Sequence, residues 1–160
     1  MVSPLWLERG RLSGTQYTPE KGWDENKLDF FRRHIVQLGR SGLFVVYDEL
    51  VGKEPVEWNY LLHTVELPME VAEEKDGLRI LGKNKADGVS IAHLFSSQKM
   101  TYAQTDTFFV AAVDWKKRLG KTLSNHYHFT ATTASCSKIC FLNVIDVHGN
   151  NRADAVINRE

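Results

Sequence analysis

The sequence has no excess of charge of either sign. Twenty Lys and Arg balance twenty Asp and Glu across 160 residues, so no global field draws the chain to a nucleic acid or an anionic membrane, and any polyanion has to be met by a local patch. Cysteine is scarce. Cys136 and Cys140 fall four residues apart where a loop runs into a strand, a spacing at which side chains seldom meet disulfide geometry. Free thiols are expected, and they say little about compartment. No run of about 18 apolar residues occurs, which argues against a membrane-spanning helix. Met1-Val2-Ser3-Pro4-Leu5-Trp6 has neither the basic start nor the apolar core of a secretory signal, so the chain reads as soluble. Repeats, low-complexity tracts and a second domain boundary are missing too. The length fits one domain of the usual 100 to about 200 residues. Folding on this scale removes roughly two thirds of the extended chain's surface from water, so stability requires neither metal nor disulfide.

What is present is a succession of β-type segments. Residues 1–26, rich in Gly, Pro, Ser and charge, read as an irregular lead-in, 27–150 as the folded body and 151–160 as a tail. Leu28 to Leu38 sets Leu28, Phe30, His34, Val36 and Leu38 on one face at a period of two, the spacing of a half-buried strand. Gly39-Arg40-Ser41-Gly42 reads as a tight turn, and Leu43 to Tyr47 as its hairpin partner. Further strands are expected at Trp58 to Leu67, Leu78 to Leu81, Val89 to Phe95, Thr107 to Trp115, Leu123 to Thr133 and Ser137 to Val147. Pro68 to Lys75 reads as either a short helix or an irregular crossover. The predicted fold is all-β: an antiparallel β-sandwich of about eight or more strands with little helix.

Three segments in order carry a more specific signal. Phe30-Phe31-Arg32-Arg33-His34-Ile35-Val36-Gln37-Leu38 is followed by Leu43-Phe44-Val45-Val46-Tyr47-Asp48-Glu49-Leu50 and then by Trp58-Asn59-Tyr60-Leu61-Leu62-His63-Thr64. The set resembles the heparinase II/III-like polysaccharide lyases, whose β-domain runs from an Arg-His strand through VVxDE to a Trp-led strand ending in Leu-His. The likeness continues more weakly through Gly88 to Phe95, Asn125 to Thr130 and Phe141 to Ile145, so it spans about Leu28 to Val147. The resemblance implies a β-sandwich joined to a larger α/α toroid in a periplasmic or secreted parent. It also implies β-elimination on acidic polysaccharides such as glycosaminoglycans, a reaction that needs a base poised near neutral pH and a group that neutralises the uronate carboxylate. In that family the toroid supplies most of this apparatus, chiefly Tyr and His. The expected role of this chain is therefore accessory or substrate-shaping. Its expected partners are the toroid and an acidic polysaccharide, with no nucleic acid and no membrane.

His34, Asp48 and His63 fall on successive predicted strands, and two imidazoles with one carboxylate suit Zn²⁺. The resemblance implies a structural zinc on a His, an Asp and a His in this order. Alternatively, His34 and His63 are hydrogen-bonded and partly buried, and Asp48 caps the turn after its strand. His126 and His128 form an H-x-H pair of the kind that holds metal in cupins, but Phe129 to Thr133 lacks the Glu a cupin requires. Arg32, Arg33 and Arg40 are the expected substrate contacts, since guanidinium groups grip carboxylates and sulfates bidentately. Lys116, Lys117, Arg118 and Lys121 could add to them or simply form a solvated turn. Trp58, Trp115, Tyr47 and Tyr127 suit stacking on sugar rings, or equally a sandwich core. A freestanding acidic-carbohydrate-binding module and a cupin-like metalloprotein are the other readings.

Overall fold

The computed structural model describes residues 28–39, 42–65, 67–106, 126–149 and 151–155. They form nine strands and no helix. The strands are β1 (Leu28–Leu38), β2 (Leu43–Val56), β3 (Asn59–Val65), β4 (Glu70–Glu74), β5 (Gly77–Lys83), β6 (Gly88–Ser96), β7 (Met100–Thr105), β8 (His126–Thr133) and β9 (Cys136–Gly149). Six of them build one antiparallel sheet in the order β1-β2-β9-β6-β5-β4, and the other three build a second in the order β3-β8-β7. The all-β sandwich expected from the sequence is what the chain forms.

Alternation decides what lies between the sheets. On β9, Ile139, Phe141, Asn143 and Ile145 point to one side, and Ile139, Phe141 and Asn143 are buried there. Leu94 and Ala92 of β6 and Leu78 and Ile80 of β5 share that side by register. From the smaller sheet come Tyr60 and Leu62 of β3 with Phe129 and Ala131 of β8. Phe129, Leu94 and Ile139 are wholly buried. Burying a side chain of this size contributes about 1.5 to 3 kcal/mol, which makes this seam the main source of stability.

Trp58 pins the point where the chain leaves one sheet for the other. Its indole Nε1–H donates to the Cys136 carbonyl at 2.9 Å, and its own carbonyl accepts from Thr133 N–H at 3.0 Å. Trp58 thus ties the β2–β3 crossing to the β8–β9 crossing and fixes how the sheets stack. Both cysteines are free.

Several expected elements take a different form. The strand from Leu43 continues to Val56, passing an irregularity between Val51 and Val56 near Pro55, so Asp48 lies inside a strand and caps no turn. The stretch around Pro68 to Lys75 is not helical: Pro68 and Met69 belong to the irregular crossing from the smaller sheet to the larger one, and Glu70–Glu74 then form β4. Its Glu74 pairs with Gly77 across the Lys75-Asp76 turn, and a two-residue turn lets so short a strand join a sheet already present. β7 was not anticipated. The expected strand at Thr107 to Trp115 lies outside the described residues.

β1 also departs from the half-buried reading. As the edge strand it is exposed on both faces, with Ile35 65% and Val36 51% accessible. The smaller sheet covers the sandwich seam and leaves this edge open.

Candidate functional site

The segment carrying Arg32, Arg33 and His34 meets the segment carrying Asp48 and Glu49 across the β1–β2 ladder. Arg33 pairs with Asp48, His34 with Tyr47, and Arg32 with Glu49. Residues directly opposite share a face and neighbours in sequence take opposite faces, so the two motifs are sorted into an inner and an outer set.

The inner set is a fork. Arg33 Nε and Nη2 donate to Asp48 Oδ1 and Oδ2 at 2.6 and 2.7 Å. The Asp48 side chain is 3% accessible and that of Arg33 47%, so a buried carboxylate is held by a cation whose other side reaches water. Hydrogen bonding to Asp48 raises the Arg33 pKa above its already high ordinary value, outweighing the opposing effect of burial. Phe31 flanks the guanidinium, whose carbon stands 5.8 Å from the ring centroid.

Tyr60 enters from the facing sheet. Its ring packs against Phe141 at 5.3 Å between centroids, and its hydroxyl accepts from Asn143 Nδ2 at 3.1 Å. Burial pushes the Tyr60 phenol above its ordinary value. The Asp48 charge adds to that rise, while the Asn143 hydrogen bond and Arg33 oppose it. Asn143 is wholly buried and its Oδ1 has no hydrogen-bond partner. The resulting inter-sheet polar cluster joins β1, β2, β3 and β9.

The outer set is looser. Glu49 lies 3.9 Å from both Arg32 Nη1 and His34 Nε2, with all three side chains at least 31% accessible. Exposed pairs at such range contribute between nothing and about 1 kcal/mol. Arg32 also covers Phe30, with 4.9 Å from guanidinium carbon to ring centroid.

His34, Asp48 and His63 are not brought together. His34 lies on the outer face of the six-stranded sheet and Asp48 lies between the sheets. His63 lies on the outer face of the three-stranded sheet, since Tyr60 and Leu62 of the same strand point inward and Leu61 is 57% accessible. The Asp48 carboxylate, the anionic ligand a zinc would need, is already neutralised by Arg33. The residues present therefore do not fit a His–Asp–His zinc set, and among the described residues no group of three or more His, Cys, Asp or Glu is placed to hold a metal ion.

The expected substrate contacts also separate. Arg32 is outward, Arg33 is inward and engaged by Asp48, and Arg40 lies outside the described residues, as do Lys116, Lys117, Arg118, Lys121 and Trp115. Trp58 and Tyr127 pack against the core, as the alternative to sugar stacking has it. The partners that sequence reasoning missed are Tyr60 and Asn143 in the cluster, and His128, which stands directly across from His63. The register of the first hairpin was within reach: a four-residue turn places Leu38 opposite Leu43, and counting back from there places Arg33, not His34, opposite Asp48.

No known protein family matches this chain, and no curated protein does either.

Proposed function

We propose that the chain is the β-sandwich portion of a heparinase II/III-type lyase of uronic-acid glycans, shaping or supporting a site whose catalytic base resides in a helical toroid. One observation supports the reading above the others. The segments that carry the resemblance, each on its own strand, contribute Arg33, Asp48 and Tyr60 to a single inter-sheet cluster. Residues joined in this way have a physical reason to occur together, which a chance likeness does not supply.

The test is turnover. Offered heparan sulfate, alginate and related glycans, the chain alone should form no unsaturated uronate, followed by its ultraviolet absorbance. Product formed by this chain alone overturns the accessory reading.

A second reading rests on the outer face of β1, where Arg32 lies over Phe30 in the open. An exposed cation against an aromatic ring suits a freestanding module that binds acidic carbohydrate without cleaving it. Calorimetry with a panel of uronic-acid polysaccharides separates the two, since an accessory sandwich binds them feebly and a binding module saturates.

A further inference from the structure

We propose that β1 pairs edge to edge with β1 of a second copy of this chain, antiparallel and centred on Arg33, so that two six-stranded sheets join into one. Among the described residues β1 ends its sheet. An edge strand carries a row of unpaired backbone donors and acceptors, and proteins ordinarily blunt such edges with brevity, charge, proline or a bulge. β4, the opposite edge of the same sheet, follows that rule with five residues, three of them acids. β1 does not. It runs for eleven residues without Pro or Lys, its irregularity lies at the far end between Leu28 and Phe30, and its inward charge, Arg33, is neutralised by Asp48. Of the eight large apolar side chains exposed among the described residues, five (Leu28, Phe31, Ile35, Val36 and Leu38) stand on this strand, so uncovered apolar surface is concentrated where backbone pairing is also open.

The strand is complementary to itself, as a two-fold contact requires. Outward from Arg33 the residues on either side match in kind: Arg32 with His34, Phe31 with Ile35, and Phe30 with Val36, and the order polar then apolar continues to both ends. In an antiparallel pair centred on Arg33 these partners stand directly opposite. Phe31 then meets Ile35 twice on the inner face and Phe30 meets Val36 twice on the outer, an aromatic with β-branched combination that stabilises cross-strand pairs. The neighbouring centres that keep the faces matched do worse. Centring on Ile35 sets Arg32 against Leu38 and His34 against Val36, and centring on Phe31 leaves Ile35, Val36 and Leu38 past the end of the partner strand. The cations gathered at the centre are offset within each copy, since Asp48 holds Arg33 and Glu49 stands 3.9 Å from Arg32 Nη1 and His34 Nε2. The ladder is small beside the about 1,200 to 2,000 Å² of a standard interface, so a reversible dimer in the micromolar range is expected. The inference does not depend on the lyase reading.

The experiment is sedimentation velocity of the full chain from about 1 to 200 µM. The sedimentation coefficient should rise from the monomer value toward the dimer value across that range. Ile35→Lys and Val36→Lys alter side chains that are exposed in the single chain, so circular dichroism should stay unchanged while dimerisation weakens about tenfold or more. Leu61→Lys, at a comparably exposed apolar position on β3 of the other sheet, should dimerise like the parent. In a dimer mixed from isotope-labelled and unlabelled chains, nuclear Overhauser contacts should join Phe31 to Ile35, residues that a rise of about 3.3 Å per residue keeps about 13 Å apart within one strand. This readout needs no variant. The proposal is overturned if the chain stays monomeric at the top of that range, which would leave the edge to a strand of another protein. It is equally overturned if Ile35→Lys dimerises as tightly as the parent, if Leu61→Lys abolishes the dimer, or if the dimer lacks the Phe31–Ile35 contact.

Discussion

Replacing Arg33 by Met takes away the cation and keeps most of the apolar stem. Asp48, 2% accessible, is then left without the two donors that hold it. Breaking a fully buried pair in this way costs about 3 to 5 kcal/mol. Here the Arg33 side chain is 47% accessible, so water can reach the space it leaves, and the expected cost falls to about 2 to 3 kcal/mol. The opposite change, Asp48→Asn, leaves a guanidinium that turns outward and is rehydrated, and should cost only about 1 kcal/mol. The asymmetry is the signature of one buried and one half-exposed partner. Urea unfolding at neutral pH measures both, with an unchanged denaturant slope confirming that stability alone has moved. The double variant should recover at least 1 kcal/mol of coupling relative to the sum of the singles. An Asp48→Asn penalty larger than that of Arg33→Met, or a coupling indistinguishable from zero, refutes the fork.

Tyr60→Phe removes the acceptor of Asn143 Nδ2 and should cost about 1 to 2 kcal/mol near neutrality, read by the same unfolding curves. Because the folded phenol titrates above the unfolded value of about 10, the folded state holds more protons in the window just above that pH, and stability falls as pH rises through it. In Tyr60→Phe this alkaline decline should flatten, and an unchanged alkaline limb contradicts the burial of the hydroxyl. Gly42 sits at φ 76° with the Val147 carbonyl where a Cβ would go, whereas Gly39 at φ 61° has open space. Thermal melts should therefore show Gly42→Ala losing about 2 kcal/mol or more and Gly39→Ala about 1. Phe129→Ala, in the wholly buried seam, should cost about 3 to 5 kcal/mol in chemical denaturation.

Period-two runs made most of the strands legible, because a strand with one covered face carries its burial in its spacing. β6 and β9 are examples, with alternate residues buried along much of their length. β7 was missed because Met100 to Thr105 is exposed at five of its six positions, so no apolar rhythm marks it. β4 was ambiguous for a related reason, since five residues, three of them acids, give neither period a clear advantage. At the site, the segments were placed on the right strands but the wrong faces were joined. A motif written as adjacent letters conceals that adjacent strand residues point apart, and nothing in the sequence says that His63 crosses to the other sheet, since that depends on the Trp58 crossover. Tyr60 was invisible as a member of the cluster for the same reason.

The register of β1 is where these points meet. Phe30, Val36 and Leu38 on its outer face are matched by Phe31 and Ile35 on its inner face, and both faces are largely exposed. Hydrophobic burial therefore holds the alignment weakly, and a slip of one residue would exchange the faces of every side chain. Such a slip would set His34 opposite Asp48 and carry Arg33 outward, leaving the buried carboxylate without its cation at a cost of about 2 to 3 kcal/mol. Adding one glycine between Arg40 and Ser41 lengthens the turn for well under 1 kcal/mol of closure entropy. The fork should win that contest, so the extra residue is taken up near the turn and Arg33 stays opposite Asp48. Cross-strand nuclear Overhauser contacts between His34 and Tyr47 should persist in the lengthened variant. Their replacement by contacts between His34 and Asp48 would show that the turn, and not the Arg33–Asp48 pair, sets the alignment of this edge.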